Sequence, residues 1–454
     1  MFTKDKSFYK KLLSLMSIVI LQNVVAYSVN MADNIMLGSY SQSALSGAAT
    51  VNQVQFMTQQ ITLAIGDSLV VLGSQFWGEK RTEPIRKLTG IALIFGFVLG
   101  FGVFAWTSLD PAGVLAIFTD DEGYIAEGVK YLELIRFTYP IYVITTVLLA
   151  ALRSVKTVGI ALWVSVSSLI LDVGINYVLI FGKFGMPEMG IKGAAVGTLV
   201  ARAMELVTVL VYLVFIDKKL RLFTQNIFAF TKELFAKFFR ILLPSFISNF
   251  VWSIATPIQT AILGHLSKDA IAANSVSVTM FQYLKIIVIG EASASAVVIG
   301  NTIGETKGDG NENGNEKVKE YSRTLQLMYI LFALALGTLL FFLRGPYLSL
   351  YDLSPTAMEM ADDILILMCF IFVGMAYQMP TSVGIIKGGG DVKYVMFLNL
   401  VSTWGIVMPL SFAAAFVWNL PIVWIVALLN SDQIFKCIPI AIHTARNKWI
   451  KRLT

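Results

Sequence analysis

Stretches of about 20 apolar residues recur from one end of this chain to the other, and about 20 helical residues are what it takes to cross the hydrocarbon of a bilayer. Twelve such runs lie at roughly 12–37, 46–76, 88–109, 131–150, 157–181, 191–215, 240–264, 274–302, 322–343, 363–386, 394–416 and 421–442. With no water to satisfy backbone N–H and C=O groups, runs of this kind have to be helices. Hydrophobic residues make up 56% of the sequence and charged ones 14%, at a mean hydropathy of +0.72, far from the balance of a soluble domain. The expected fold class is an all-α membrane protein with twelve transmembrane helices.

The twelve runs fall into two sets of six. LGSYSQSALSGAA (Leu37 to Ala49) returns 226 residues later as LGHLSKDAIAANS (Leu263 to Ser275), and a Gly-Glu pair follows each copy at one fixed distance, Gly78-Glu79 and Gly304-Glu305. A second correspondence pairs Arg153 with Lys387 and Val158 with Val392. Repeats on this scale fix an architecture: two six-helix lobes related by internal pseudo-two-fold symmetry. Residues 1–216 form the N-lobe (spans 1–6), 217–239 a cytoplasmic amphipathic linker, and 240–454 the C-lobe (spans 7–12).

Basic residues set the expected orientation. Four lysines precede span one; Lys80, Arg81, Arg86 and Lys87 follow span two; Arg153 and Lys156 follow span four. Lys218, Lys219, Arg221, Lys232, Lys237 and Arg240 lie in or beside the linker, Lys307, Lys317, Lys319 and Arg323 follow span eight, and Arg446, Lys448, Lys451 and Arg452 close the sequence. The alternate loops carry few such residues, so both termini are placed in the cytoplasm of a cell inner (plasma) membrane protein. Even-numbered halves then share one orientation, with the repeat axis along the membrane normal and a cleft between the lobes. The net charge of +6 reads as anchoring against anionic lipid rather than a nucleic-acid surface. The first apolar run is too long for a cleavable signal and is taken as an uncleaved helix.

Enzyme chemistry finds no footing. The two histidines, His265 and His443, form no HExxH, and there is no phosphate-binding Gly-Lys-Ser/Thr loop and no paired CxxC, so no cofactor is expected. Cys369 and Cys437 fall at different depths and read as apolar fillers rather than a disulfide. GETKGDGNENGNEKVKE (Gly304 to Glu320) reads as a solvated turn.

Function is sought in the acids that a membrane helix should not contain, each of which costs several kcal/mol unless hydrated, paired or protonated. Asp33 lies five residues before Gly38 on span one, about 8 Å from its outer end; Asp172 lies ten before Gly182 on span five, about 15 Å deep, with Asn176 one turn farther out on the same face. If the two helices face each other, Asp33, Asp172 and Asn176 make an oxygen-rich pocket for a proton or Na⁺. The plainer alternative leaves Asp172 hydrogen-bonding within a kinked helix. Asp67 and Glu291 lie in the inner halves of spans two and eight and are candidates for a gate or cation-attracting wall, with pairing to Lys285 or hydration as the alternative for Glu291. Asp432 with Lys436, and Arg202 with Glu205, are spaced to neutralise each other.

A polar ridge on span two, Asn52, Gln55, Gln59 and Gln60, together with Gln259, Tyr377 and Gln378 in the other half, either joins helices or lines a wet cavity. Gln55, Gln59, Gln259, Tyr377 and Gln378 are taken as cleft or gate candidates. Seventeen Met and 31 Phe fit an adaptable apolar wall. Pro140, Pro244, Pro257, Pro380 and Pro409 interrupt backbone hydrogen bonding inside spans and permit bending.

In their order and spacing, MADNIMLG on span one, SQFWGEK after span two, LRSVKTV after span four and DVGINYVLIFGKFGMPEMGIKGAAVGT across spans five and six resemble the multidrug and toxic compound extrusion transporters. The resemblance implies a V-shaped antiporter expelling amphipathic, often cationic, drugs or metabolites in exchange for Na⁺ or H⁺, working as a monomer. Asp33 falls on the family's span-one aspartate. One branch carries Asn and then Asp one turn later on span five; here Asp172 and Asn176 hold those places in reversed order. Another branch places a glutamate eight residues after the span-seven proline and an aspartate on span ten, where this chain has Trp252 and Ala376, so the N-lobe is favoured for coupling. Two alternatives are a lipid-linked oligosaccharide flippase, expected to have a more basic cleft, and a membrane-embedded prenyl-diphosphate transferase. For the latter, Asp120-Asp121-Glu122 is the nearest acidic cluster.

Overall fold

The computed structural model describes residues 2–224, 226–264, 267–306, 313–351 and 353–454. Almost all of them are helical. The long helices are α1 (Lys6–Tyr40), α2 (Gln42–Gly78) and α3 (Glu83–Leu109); α4 (Pro111–Ala116) and α5 (Glu122–Ile135) are short, and α6 (Thr138–Ser154), α7 (Gly159–Ile180) and α8 (Ile191–Val211) follow. The second half has α9 (Lys232–Gly264), α10 (Lys268–Glu305), α11 (Asn313–Leu348) and α12 (Pro355–Met379). Then come α13 (Val392–Leu400), α14 (Met408–Phe412), α15 (Ile422–Leu429), α16 (Asp432–Phe435) and α17 (Cys437–Ala445).

Among the described residues, eleven helices are long and apolar enough to cross a membrane, and the count is twelve when the bent pair α5–α6 is taken as one span. The span expected at 131–150 is entered through a 53° bend between Ile135 and Thr138. Pro140 has no N–H to give the Arg136 carbonyl, which ends the helical ladder at that point. The acids Asp120, Asp121 and Glu122 open α5: Asp121 accepts a hydrogen bond from the Tyr124 N–H at 3.0 Å, and Glu122 stands in the first turn. Asp121 and Glu122 thus act as a helix start, where a negative side chain meets unsatisfied N–H groups.

Other prolines do what their position in a span suggests. Pro244 and Pro257 are accommodated within α9. Pro380 begins a wide π-helical stretch, Pro380–Lys387, and Pro409 follows a second one, Val401–Val407. Such widened turns re-satisfy freed carbonyls and often accompany functional sites.

The chain divides into two compact units. One comprises Leu21–Gly73 and Arg81–Leu242, the other Met1–Ile20, Ser74–Lys80 and Leu243–Thr454. In the first, Leu37, Val51, Val54, Leu132, Ile135 and Ile180 form a buried core. The stretch after α8 belongs to it: Asp217 accepts from the N–H groups of Leu220 and Arg221 at 3.0 and 2.8 Å, and Arg86 donates to the Leu220 carbonyl at 2.7 Å. From Lys232 onward this stretch is already α9, whose Phe235 and Phe238 pack on Phe95 of α3 at centroid distances of 5.7 and 6.0 Å. In the second unit the core gathers Val288, Ile364, Leu365, Ile371 and Phe372. Of the expected solvated turn, residues 307–312 lie outside the described residues, as does His265, and helix resumes at Asn313. Cys369 and Cys437 are free thiols.

Candidate cation-coupling site

Asp33 on α1 and the pair Asp172 and Asn176 on α7 converge in the first unit. The four-residue spacing of Asp172 and Asn176 stacks them on one helix face, and that face meets α1. The Asn176 Nδ2 donates to Asp33 Oδ1 at 2.7 Å and to Asp172 Oδ2 at 3.2 Å, so one amide bridges two carboxylates. Asp172 and Asn176 are buried, and Asp33 is half-buried. Two buried oxygens in the group, Asp172 Oδ1 and Asn176 Oδ1, have no hydrogen-bond partner among the described residues.

Helix α8 closes the far side. Gly197 lies so close to the Asn176 amide oxygen that a side chain there would occupy the same space, and Gly193 meets the backbone of Leu179 in the same way, at 2.7 Å from a Cβ position. Next to Gly197, Thr198 stands beside Asp172, and its buried hydroxyl has no ordinary hydrogen bond among the described residues. Tyr131 of α5, also buried, faces Thr198 and both carboxylates. The site therefore offers carboxylate, amide, threonine and tyrosine oxygens. A set of hard oxygen donors suits a small hard cation or a proton and has no soft ligand for a transition metal. No group of three or more His, Cys, Asp or Glu suited to a metal occurs among the described residues.

Arg202 and Glu205 on α8 form the expected pair, Nη1 to Oε2 at 2.9 Å, and the guanidinium also lies 5.1 Å from the Tyr142 ring centroid. Its charge reaches Asp33 and Asp172 as well. Gly197, Thr198, Tyr131 and Arg202 were not among the residues selected from sequence for this site. The GAAVGT run on α8 was the available signal, since two glycines spaced by four mark a helix face that accepts a close neighbour.

Asp67 lies 3.6 Å from the Arg153 guanidinium in the first unit. Gln55 and Gln59 on α2 and Gln259 on α9 are half-exposed. In the second unit, Tyr377 donates to Gln326 at 3.0 Å, and Gln378 donates to Gln433 at 2.7 Å. Gln433 donates to Asp432 at 3.0 Å, and Lys436 donates to Asp432 at 2.7 Å and to Asn399 at 3.0 Å. Tyr377 and Gln378 thus join helices in this structure. Glu291 is buried on α10, and its carboxyl oxygens have no hydrogen-bond partner among the described residues.

Comparison with known proteins agrees with this architecture. The MatE family model matches residues 19–178 and 244–413. A probable multidrug resistance protein NorM of Thermotoga maritima is 26% identical over 436 residues, 95% of this chain and 91% of that protein. An uncharacterized transporter, YisQ of Bacillus subtilis, is 22% identical across 84% and 82% of the two chains. Among solved structures, an outward-facing multidrug resistance MATE family transporter of the MOP superfamily superposes with a TM-score of 0.86 at 16% identity, covering 98% of both chains. A MOP superfamily transporter from Pyrococcus furiosus, described as having reversed polarity of its binding pocket, gives 0.85 at 16% identity over the same share.

Proposed function

The chain belongs to the MatE family and is a multi-pass membrane transporter, not an enzyme; from that premise we propose that it is a secondary antiporter exporting amphipathic, cationic small molecules in exchange for Na⁺ or H⁺. The observation that carries the reading is the bridge from Asn176 to both Asp33 and Asp172, with two buried acceptor oxygens left over. Two carboxylates held by one amide in an apolar helix packing need a positive charge or a proton to be stable there. Such an ion therefore selects the packing of α1 against α7 that encloses it.

Exchange follows if cargo favours the other packing. An ion that bound both states equally would move nothing; reversing a 1:99 population to 99:1 takes a differential of about 5.5 kcal/mol. A cation entering from outside closes the Asp33–Asp172 group, weakens cargo binding and drives release outward. Lobes at 1–216 and 240–454, action as a monomer in a plasma membrane and cytoplasmic termini complete the reading, supported by the repeat and by the distribution of Lys and Arg. The similarity to proteins named for multidrug resistance supports the cargo class.

The test uses purified protein in liposomes loaded with a fluorescent organic cation and challenged separately with Na⁺ and pH gradients. One gradient should drive export, and Asp33→Asn should abolish it while leaving the helical content unchanged. Full gradient-driven export in that variant removes the reading.

A further inference from the structure

Glu291 presents a different chemistry from the bridged pair. It is 2% exposed, and neither of its carboxyl oxygens has a hydrogen-bond partner among the described residues. Lys285, the partner offered by the sequence, instead holds its ammonium 5.2 Å from the Trp252 ring centroid and feels the charge of Asp432. Glu291 is thus an acid without a counter-ion among the described residues.

Its surroundings are tightly closed. On one side, the adjacent Gly290 is covered by Ile20 of α1 so closely that a side chain there would overlap it. One turn along α10, Ser295 accepts the hydroxyl of Tyr329 from α11. The π-helical stretch Pro380–Lys387 packs Gly384 against this same segment, where a Cβ would lie 2.9 Å from the Ala292 carbonyl and 2.8 Å from Ser295 Cβ. Tyr329 is the titratable group from α11 on which Glu291 acts. From α1, α12 and the π-helical stretch, no charged group among the described residues exerts a resolved pull on Glu291. An unpaired carboxylate in such a place would carry the full cost of a buried charge, and a carboxyl group escapes that cost by keeping its proton.

We propose that Glu291 is a proton-binding site separate from the Asp33–Asp172 group: it holds a proton in the packing described here and gives it to water when the π-helical stretch parts from α10. The step leaves a hydrated carboxylate and one hydronium, with no other bond changed. Gly384 and the widened backbone turn make this contact one that opens without unfolding a regular helix. The transport consequence rests on the antiporter reading above, whereas the protonation state does not.

Infrared spectroscopy of the full-length protein in liposomes decides it. With glutamate carboxyls carrying carbon-13, the carbonyl band of a protonated glutamic acid should be present at neutral pH, keep its isotope shift in Asp33→Asn, and vanish in Glu291→Gln. Glu291→Asp, which keeps a carboxyl at this place but takes it out of the labelled set, should remove the isotope-shifted band as well, so the assignment does not depend on how the glutamine variant folds. Proton release on adding the fluorescent cation should be smaller in Glu291→Gln than in the parent. Absence of a protonated glutamate band, its survival in Glu291→Gln, or an unchanged proton yield overturns the proposal. Loss of cation-driven export with the band intact counts against the antiporter reading instead.

Discussion

Gly78 and Gly304, which hold the same place in the two copies of the sequence repeat, lie backbone to backbone: a Cβ on Gly78 would come within 2.9 Å of the Gly304 Cα, and one on Gly304 within 3.0 Å of the Gly78 Cα. Each would also strike the other helix's carbonyl oxygens, those of Asn301 and Gln75. Both lie in the second compact unit, so the residues that mark the repeat in the sequence pack against each other there. Only a residue without a side chain permits such an approach.

Gly78→Leu or Gly304→Leu should lower the thermal unfolding temperature in detergent, because the blocking atoms are backbone and cannot rotate away. Overpacking of this kind costs about 1–3 kcal/mol or more. Gly102→Ala, where a Cβ meets nothing within 4 Å, serves as the comparison and should be nearly neutral. Equal melting temperatures for all three would show that the contact is loose.

Gly197→Ala should impair coupling without impairing folding. The new methyl displaces the Asn176 amide oxygen and with it the bridge to Asp33. At about 1–3 kcal/mol for the misfit, apparent affinity for the driving cation should fall roughly tenfold. Export measured against a titrated gradient, beside circular dichroism, gives both numbers.

Lys436→Met should be strongly destabilising, by about 3–5 kcal/mol, since it strands a buried Asp432 without its cation. Combining it with Asp432→Leu should recover most of the loss, as removal of both partners leaves no buried charge. A double-mutant cycle on melting temperature checks this, and two additive losses would contradict it.

At the N-terminus, Asp5 accepts from the Tyr321 hydroxyl, which holds its carboxyl below the ordinary value of 3.8. A lowered carboxyl contributes its attachment fully above the ordinary value and loses it as pH falls through the lowered one. Residues 3–8 should therefore stay protected from hydrogen exchange down to about pH 4 and loosen below it. Tyr321→Phe should loosen residues 3–7 at neutral pH while Phe8 keeps its ring contact with position 321, now 4.3 Å between centroids.

Much of this protein was legible from its residues in order. Apolar runs as long as a bilayer is thick must be helices, whatever packs on them, and an acid inside one is costly enough to mark Asp33, Asp172 and Glu291 as candidates before any fold is known. Helical spacing also put Asn176 on the same face as Asp172. What the order of residues left open was which of these acids would meet a partner. That depended on α1 laying Asp33 against α7, on Gly197 giving way to the Asn176 amide, and on Arg153 reaching Asp67 while Lys285 turned to Trp252. Local spacing fixes the face a side chain occupies; whether a charge there is bridged, paired or left to its proton is set by contacts between different helices, up to 143 positions apart for Asp33 and Asn176, and only packing brings those together.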